Sequence, residues 1–218
     1  ENNYVRIYRA EENKQSSITE IYNTYENKTQ AVSVDLTGDG NEETVSIQVK
    51  DLGEYSHRIL VKVDGKTALK TGKMTDLMNA SAFYINLSAK KKFLWLCSTG
   101  ANDDAELDTI YQYDKSSGTL KEVLELDSVL WKKGVSHIYT SVAVKNGALK
   151  VTYNGQMIAT GYIKFSYIYQ YKSGKFSLKS NTAKIKSKWH KGDFVARKNI
   201  VFYKKAGGNQ IAFQIKPK

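Results

Sequence analysis

The chain predicts an all-β fold, a propeller-like array of antiparallel sheet units or alternatively a β-sandwich, with one short helix near the N-terminus. Three observations point there. Asp64-Gly65, Asn146-Gly147 and Asn154-Gly155 each stand between alternating segments, and such dipeptides accept the positive φ angles of two-residue hairpin turns. The 15 Tyr suit strands with one apolar and one wet face, and the single Pro, Pro217, leaves the interior uninterrupted. Finally, Ile110-Tyr111-Gln112-Tyr113 and the turn after it return 58 residues later as Ile168-Tyr169-Gln170-Tyr171 with a similar turn. Similar units, each about the size of a propeller blade or a four-stranded sheet, account for the echo more fully than the alternative, a Tyr-rich hairpin that recurs as a good edge-to-turn solution.

In chain order, Tyr4–Arg9 reads as a short strand. Ile18, Ile21, Tyr22 and Tyr25 then fall at helical spacing behind the capping-box pattern Ser17-Ile18-Thr19-Glu20, which predicts the helix. Thr44–Val49 alternates as a strand, Val61–Val63 with Lys66–Ala68 forms a hairpin, and a second short helix is expected to open at Thr75. Phe93-Leu94-Trp95-Leu96-Cys97 reads as a buried strand, so the lone Cys97 is expected to act as a small core hydrophobe. Val142–Val144 with Ala148–Val151 makes another hairpin, and Ile200–Phe213 a hairpin-like pair.

At 218 residues this fits one all-β domain: 1–30 as strand plus helix, 31–180 as repeated β units, and 181–218 as basic C-terminal strands. The formal net charge is +11, but residues 181–218 carry ten Lys or Arg against the single Asp193, giving +9, which leaves +2 for the first 180 residues. The basic character therefore belongs to the C-terminal segment. No apolar run approaches the length of a membrane span.

The motif richest in chemistry is Asp35-Leu36-Thr37-Gly38-Asp39-Gly40-Asn41-Glu42-Glu43. Oxygen-bearing side chains recur on alternate residues around two glycines, an arrangement that can turn hard donors toward one cation. An EF-hand is disfavoured, because Thr37 stands where a carboxylate or amide belongs and Ser46 occupies the closing position. A shorter ligand set fits instead: Asp35, Thr37, Asp39, the Asn41 carbonyl and Glu43. The stretch resembles the calcium loops of FG-GAP and VCBS repeats, the blades of integrin-α-type β-propellers, and similar segments of uncharacterised secreted proteins of Gram-positive bacteria. The resemblance covers about a tenth of the chain. It implies a propeller, a structural calcium ion and a secreted or extracellular-surface setting, any signal segment lying outside this sequence. The competing reading is a metal-free turn whose Asp and Thr side chains cap backbone amides. A second acidic group, Asp103 to Asp108, is a weaker cation candidate.

Catalytic signatures are missing. His57, His137 and His190 are widely spaced, and neither a His-Glu-x-x-His pair nor a Gly-x-Ser-x-Gly elbow nor a phosphate-binding glycine loop occurs. The expected function is a non-catalytic binding or structural module of a bacterial cell surface. The alternative is a carbohydrate-active enzyme whose carboxylates meet only in space. Partner binding is expected at Lys184, Lys186, Lys188, Trp189 and Lys191, facing an anionic cell-wall polymer, a glycan or a protein; the competing reading is that these lysines only blunt exposed sheet edges. Nucleic acid is the weakest partner, because no recognition motif accompanies the charge.

Overall fold

Among the described residues, the apolar and polar patterning becomes sixteen strands and no helix. The computed structural model describes residues 17–24, 29–75, 77–100, 105–126, 136–157, 161–180, 182–183, 198–205 and 208–217. Two compact units divide the chain, Glu1–Ser187 and Lys188–Lys218.

In the first unit, β1 (Ile18–Thr24) precedes a meander of β2 (Gln30–Val34), β3 (Glu43–Asp51), β4 (Ser56–Val63) and β5 (Lys66–Lys70), with the two-residue β6 (Met74–Thr75) also pairing β4. A second meander contains β7 (Leu77–Ser88), β8 (Lys91–Gly100), β9 (Ala105–Asp114) and β10 (Thr119–Glu125), and β1 joins its edge beside β7. The third runs through β11 (Ser136–Lys145), β12 (Ala148–Met157), β13 (Gly161–Lys172) and β14 (Lys175–Leu178). In the second unit, β15 (Ile200–Tyr203) pairs β16 (Ile211–Ile215). Among the described residues all pairings are antiparallel, and no sheet closes into a barrel.

The three meanders pack as layers, with the second in the middle. Its central strand β8 is buried on both faces: Phe93, Trp95 and Cys97 meet Val142, Leu149, Val151, Tyr153 and Tyr169 of the third meander, while Leu94 and Leu96 meet Val45, Ile47, Ile59 and Val61 of the first. A strand covered on both sides needs a continuous apolar run, which is what Phe93–Cys97 supplies; β3 alternates instead, because only one of its faces is covered. Cys97 is fully buried and its Sγ–H points at the Ser81 carbonyl, 3.7 Å away. In the core between the second and third meanders, two tyrosines satisfy each other's polar tips: the Tyr153 and Tyr169 hydroxyls lie 3.0 Å apart, and burial pushes Tyr169 up to about 12.

The echo has a structural meaning. Its two copies are the β9–β10 and β13–β14 hairpins, the last hairpin of two successive meanders. Turn chemistry sets the register where predicted at Asp64-Gly65 and Asn146-Gly147, whose φ angles are all positive.

Three sequence expectations are corrected. The segment expected to be the N-terminal helix is the edge strand β1. A bulge between Glu20 and Tyr22 inserts Ile21, so Ile18 faces one core while Ile21 and Tyr22 face the other, and this reproduces helical spacing in an extended chain. Tyr25 and Tyr4–Arg9 lie outside the described residues. The helix expected at Thr75 is replaced by the end of β6 and the start of β7. Asn154-Gly155 is no turn: both residues lie within β12, paired with Lys164 and Ile163, because Gly is as compatible with an extended backbone as with a turn.

Candidate functional site

The acidic loop joins β2 to β3 and reaches across to the second meander. Its own backbone amides occupy the carboxylates. Asp35 Oδ1 accepts the Gly38 N–H at 2.6 Å and Oδ2 the Gly40 N–H at 3.3 Å. Glu43, only 6% exposed, reaches back to accept the Leu36 N–H at 2.8 Å and the Thr37 hydroxyl at 3.2 Å. Asp39 Oδ1 accepts both the backbone N–H and the side-chain amide of Asn41. Short polar side chains bonding amides two to five residues ahead are the ordinary currency of tight turns.

Three further contacts tie the loop to the neighbouring sheet. The Tyr84 hydroxyl on β7 donates to the Asp35 carbonyl at 2.9 Å. Gly38, at φ +72°, sits so close to the β7–β8 turn that an added Cβ would lie 2.7 Å from the Ala89 carbonyl oxygen and 2.8 Å from Lys90 Cα. Lys115, in the β9–β10 turn, pairs with Asp39 Oδ2 at 2.7 Å. The loop is thus a clamp between the first two meanders. Burial first, then the nearby Asp35, Glu43 and Glu42 charges, raise Tyr84 to about 12, so it stays a donor throughout the ordinary pH range.

The hydrogen bond from Lys115, with help from the Asn41 amide, lowers Asp39 from 3.8 to about 2. A depressed carboxylate contributes stability that is present above its unfolded pKa and lost as pH falls through the folded one, here from about pH 4 toward about pH 2. The expected result is an Asp39 carboxyl titration by NMR with a midpoint near 2 that climbs toward 3.8 in Lys115→Met. A wild-type midpoint already near 3.8 would remove the pair from the account. Both partners are exposed, so salt weakens the effect.

By donor type, Asp35, Thr37, Asp39, Asn41 and Glu43 suit a hard cation, and the loop brings them together on one short turn. The carboxylate oxygens of Asp35, Asp39 and Glu43 are directed at amide hydrogens, the Thr37 hydroxyl and Lys115. Among the described residues, no group of three or more His, Cys, Asp or Glu is placed to hold a metal ion. Of the second acidic group, Asp103 and Asp104 lie outside the described residues. Asp108 turns inward, 2% exposed, and accepts the Trp95 indole N–H at 2.7 Å. Lys184, Lys186, Lys188, Trp189 and Lys191 also lie outside the described residues.

Sequence reasoning overlooked Tyr84 and Lys115, both remote in the chain from the motif. A faint signal existed for Lys115: the first copy of the echoed hairpin has the longer turn, four residues against two, and the extra length carries this lysine.

No protein-family model matches the chain, and neither a curated protein nor a solved structure is significantly similar to it.

Proposed function

We propose that this chain is a non-catalytic binding or structural module of a bacterial cell surface, in which the stacked meanders are the scaffold and the basic C-terminal unit makes the contact. The observation that carries the reading is the segregation of charge. Lys188–Lys218 is a compact unit of its own, and it holds eight Lys or Arg against Asp193 alone. A strongly cationic unit in a chain whose remainder is nearly balanced in charge suits an anionic surface or polymer. Successive four-stranded meanders with equivalent last hairpins support a propeller-like reading of the scaffold.

The test is retention of the intact chain on an immobilised anionic cell-wall polymer across a salt series. Binding that declines steadily with the logarithm of salt concentration is expected, since released counterions drive it. Absence of binding at low salt both to this polymer and to an anionic surface would sink the reading.

Calcium at the acidic loop belongs to the same proposal as a stabiliser of the scaffold. It would be held by Asp35, Asp39 and Glu43 with the Thr37 hydroxyl and the Asn41 carbonyl, and it would compete with Lys115 for Asp39. Millimolar calcium is expected to raise the melting temperature, more so in Lys115→Met, because a ligand bound only by the folded state stabilises it. Identical melting with and without the metal, in both proteins, would leave the loop as a metal-free turn.

A further inference from the structure

Among the described residues, the β15–β16 hairpin has no buried core of its own. Ile200 pairs with Ile215 and Phe202 with Phe213, so these four side chains share one face of the ribbon. All four are between 40% and 56% exposed, and the Phe202 and Phe213 rings stack at 4.4 Å with planes only 13° apart. Every residue of β16 is exposed. A two-stranded ribbon is marginal in water by itself, and large apolar side chains gathered on one exposed face mark a surface that something covers.

Charge and side-chain type select the occupant. Exposed Lys198, Lys204, Lys205 and Lys216 flank the ribbon at both ends, within a unit that carries no described acidic residue. Soluble polyanions would be met by the lysines alone and leave the Ile and Phe face unexplained. A second copy of the unit would bring like charges together. An anionic bilayer answers both features: its acyl boundary takes up Ile and Phe, which offer no polar handle, while its phosphates meet ammonium groups, and Tyr203 stands at the end of the strand beside Lys204 as an amphipathic residue suited to the headgroup level.

We propose that the β15–β16 hairpin docks on an anionic lipid surface, seating Ile200, Phe202, Phe213 and Ile215 in the interface with Lys198, Lys204, Lys205 and Lys216 on the lipid phosphates. The inference rests on the binding-module reading above and names its partner. The hairpin lies on the membrane and does not span it, since each strand is only four or five residues long.

The experiment uses the intact chain and vesicles of phosphatidylcholine with or without phosphatidylglycerol, scored by co-sedimentation. Binding to the anionic vesicles and little to the neutral ones is expected. Phe202→Ser combined with Phe213→Ser should weaken it by about tenfold or more, because two apolar anchors are lost. Lys204→Gln combined with Lys205→Gln should weaken it and flatten its salt dependence. All four positions are exposed, and unchanged scaffold melting together with an unchanged far-ultraviolet circular dichroism spectrum confirms that the variants fold. Retention on the immobilised cell-wall polymer with no vesicle binding overturns the lipid assignment and leaves the module reading standing. Failure with both overturns both. Concentration-dependent self-association that the double Phe variant abolishes assigns the face to a second copy and likewise overturns the proposal.

Discussion

Trp95→Ala is expected to lower the unfolding free energy by about 3–5 kcal/mol, the range for truncating a large buried aromatic. Trp95 is fully buried at the centre of β8, its ring stacks on Phe83 at 4.6 Å, and its indole N–H donates to the buried Asp108. Truncation opens a cavity between the second and third meanders and withdraws a donor from a carboxylate that burial has already desolvated. The two effects separate in Trp95→Phe, which keeps a ring in the core and loses the donor; about 1–3 kcal/mol is expected there. Urea unfolding followed by far-ultraviolet circular dichroism reads both. An alanine variant that loses less than about 1 kcal/mol would contradict the packing of two sheets over this side chain.

The second large effect is at the loop. Gly38→Ala is expected to cost about 2–4 kcal/mol, combining left-handed backbone strain with a methyl group driven against the β7–β8 turn. The atoms it meets, the Ala89 carbonyl oxygen and Lys90 Cα, are backbone and cannot rotate aside. Gly40 provides the control. It too has a positive φ, +89°, but an added Cβ there meets nothing within 4 Å, so Gly40→Ala should cost only about 1 kcal/mol. Equal costs at the two positions would show that the loop does not clamp the meanders. The comparison bears on function, since it separates the loop's structural duty from any duty toward a cation.

Local physics explains which parts of this fold were readable. A central strand buried on both faces must be apolar throughout, so Phe93–Cys97 announces itself. Asp64-Gly65 and Asn146-Gly147 likewise announce their turns, because few other pairs accept two positive φ angles. The N-terminal strand misleads for an equally local reason: one bulge at Ile21 moves the apolar residues between faces, and the result has the spacing of a helix. Asn154-Gly155 misleads because a glycine permits a turn without demanding one.

The candidate site was half legible. Asp35, Gly38, Asp39 and Glu43 are adjacent in sequence, and their pattern of carboxylates around glycines already says that a tight, oxygen-rich turn forms there. What the sequence by itself determined is therefore local: strand, turn, the segregation of charge to the C-terminal end, and the identity of the loop's donors. Only the tertiary structure decided what those donors face. Tyr84 and Lys115 lie 49 and 76 residues from their loop partners Asp35 and Asp39, and they arrive there because the second meander packs on the first and brings a distant strand and a distant turn to the loop. A backbone turn depends on a few neighbouring dihedrals, whereas an ion pair across two sheets depends on every strand that sets their registers and packing.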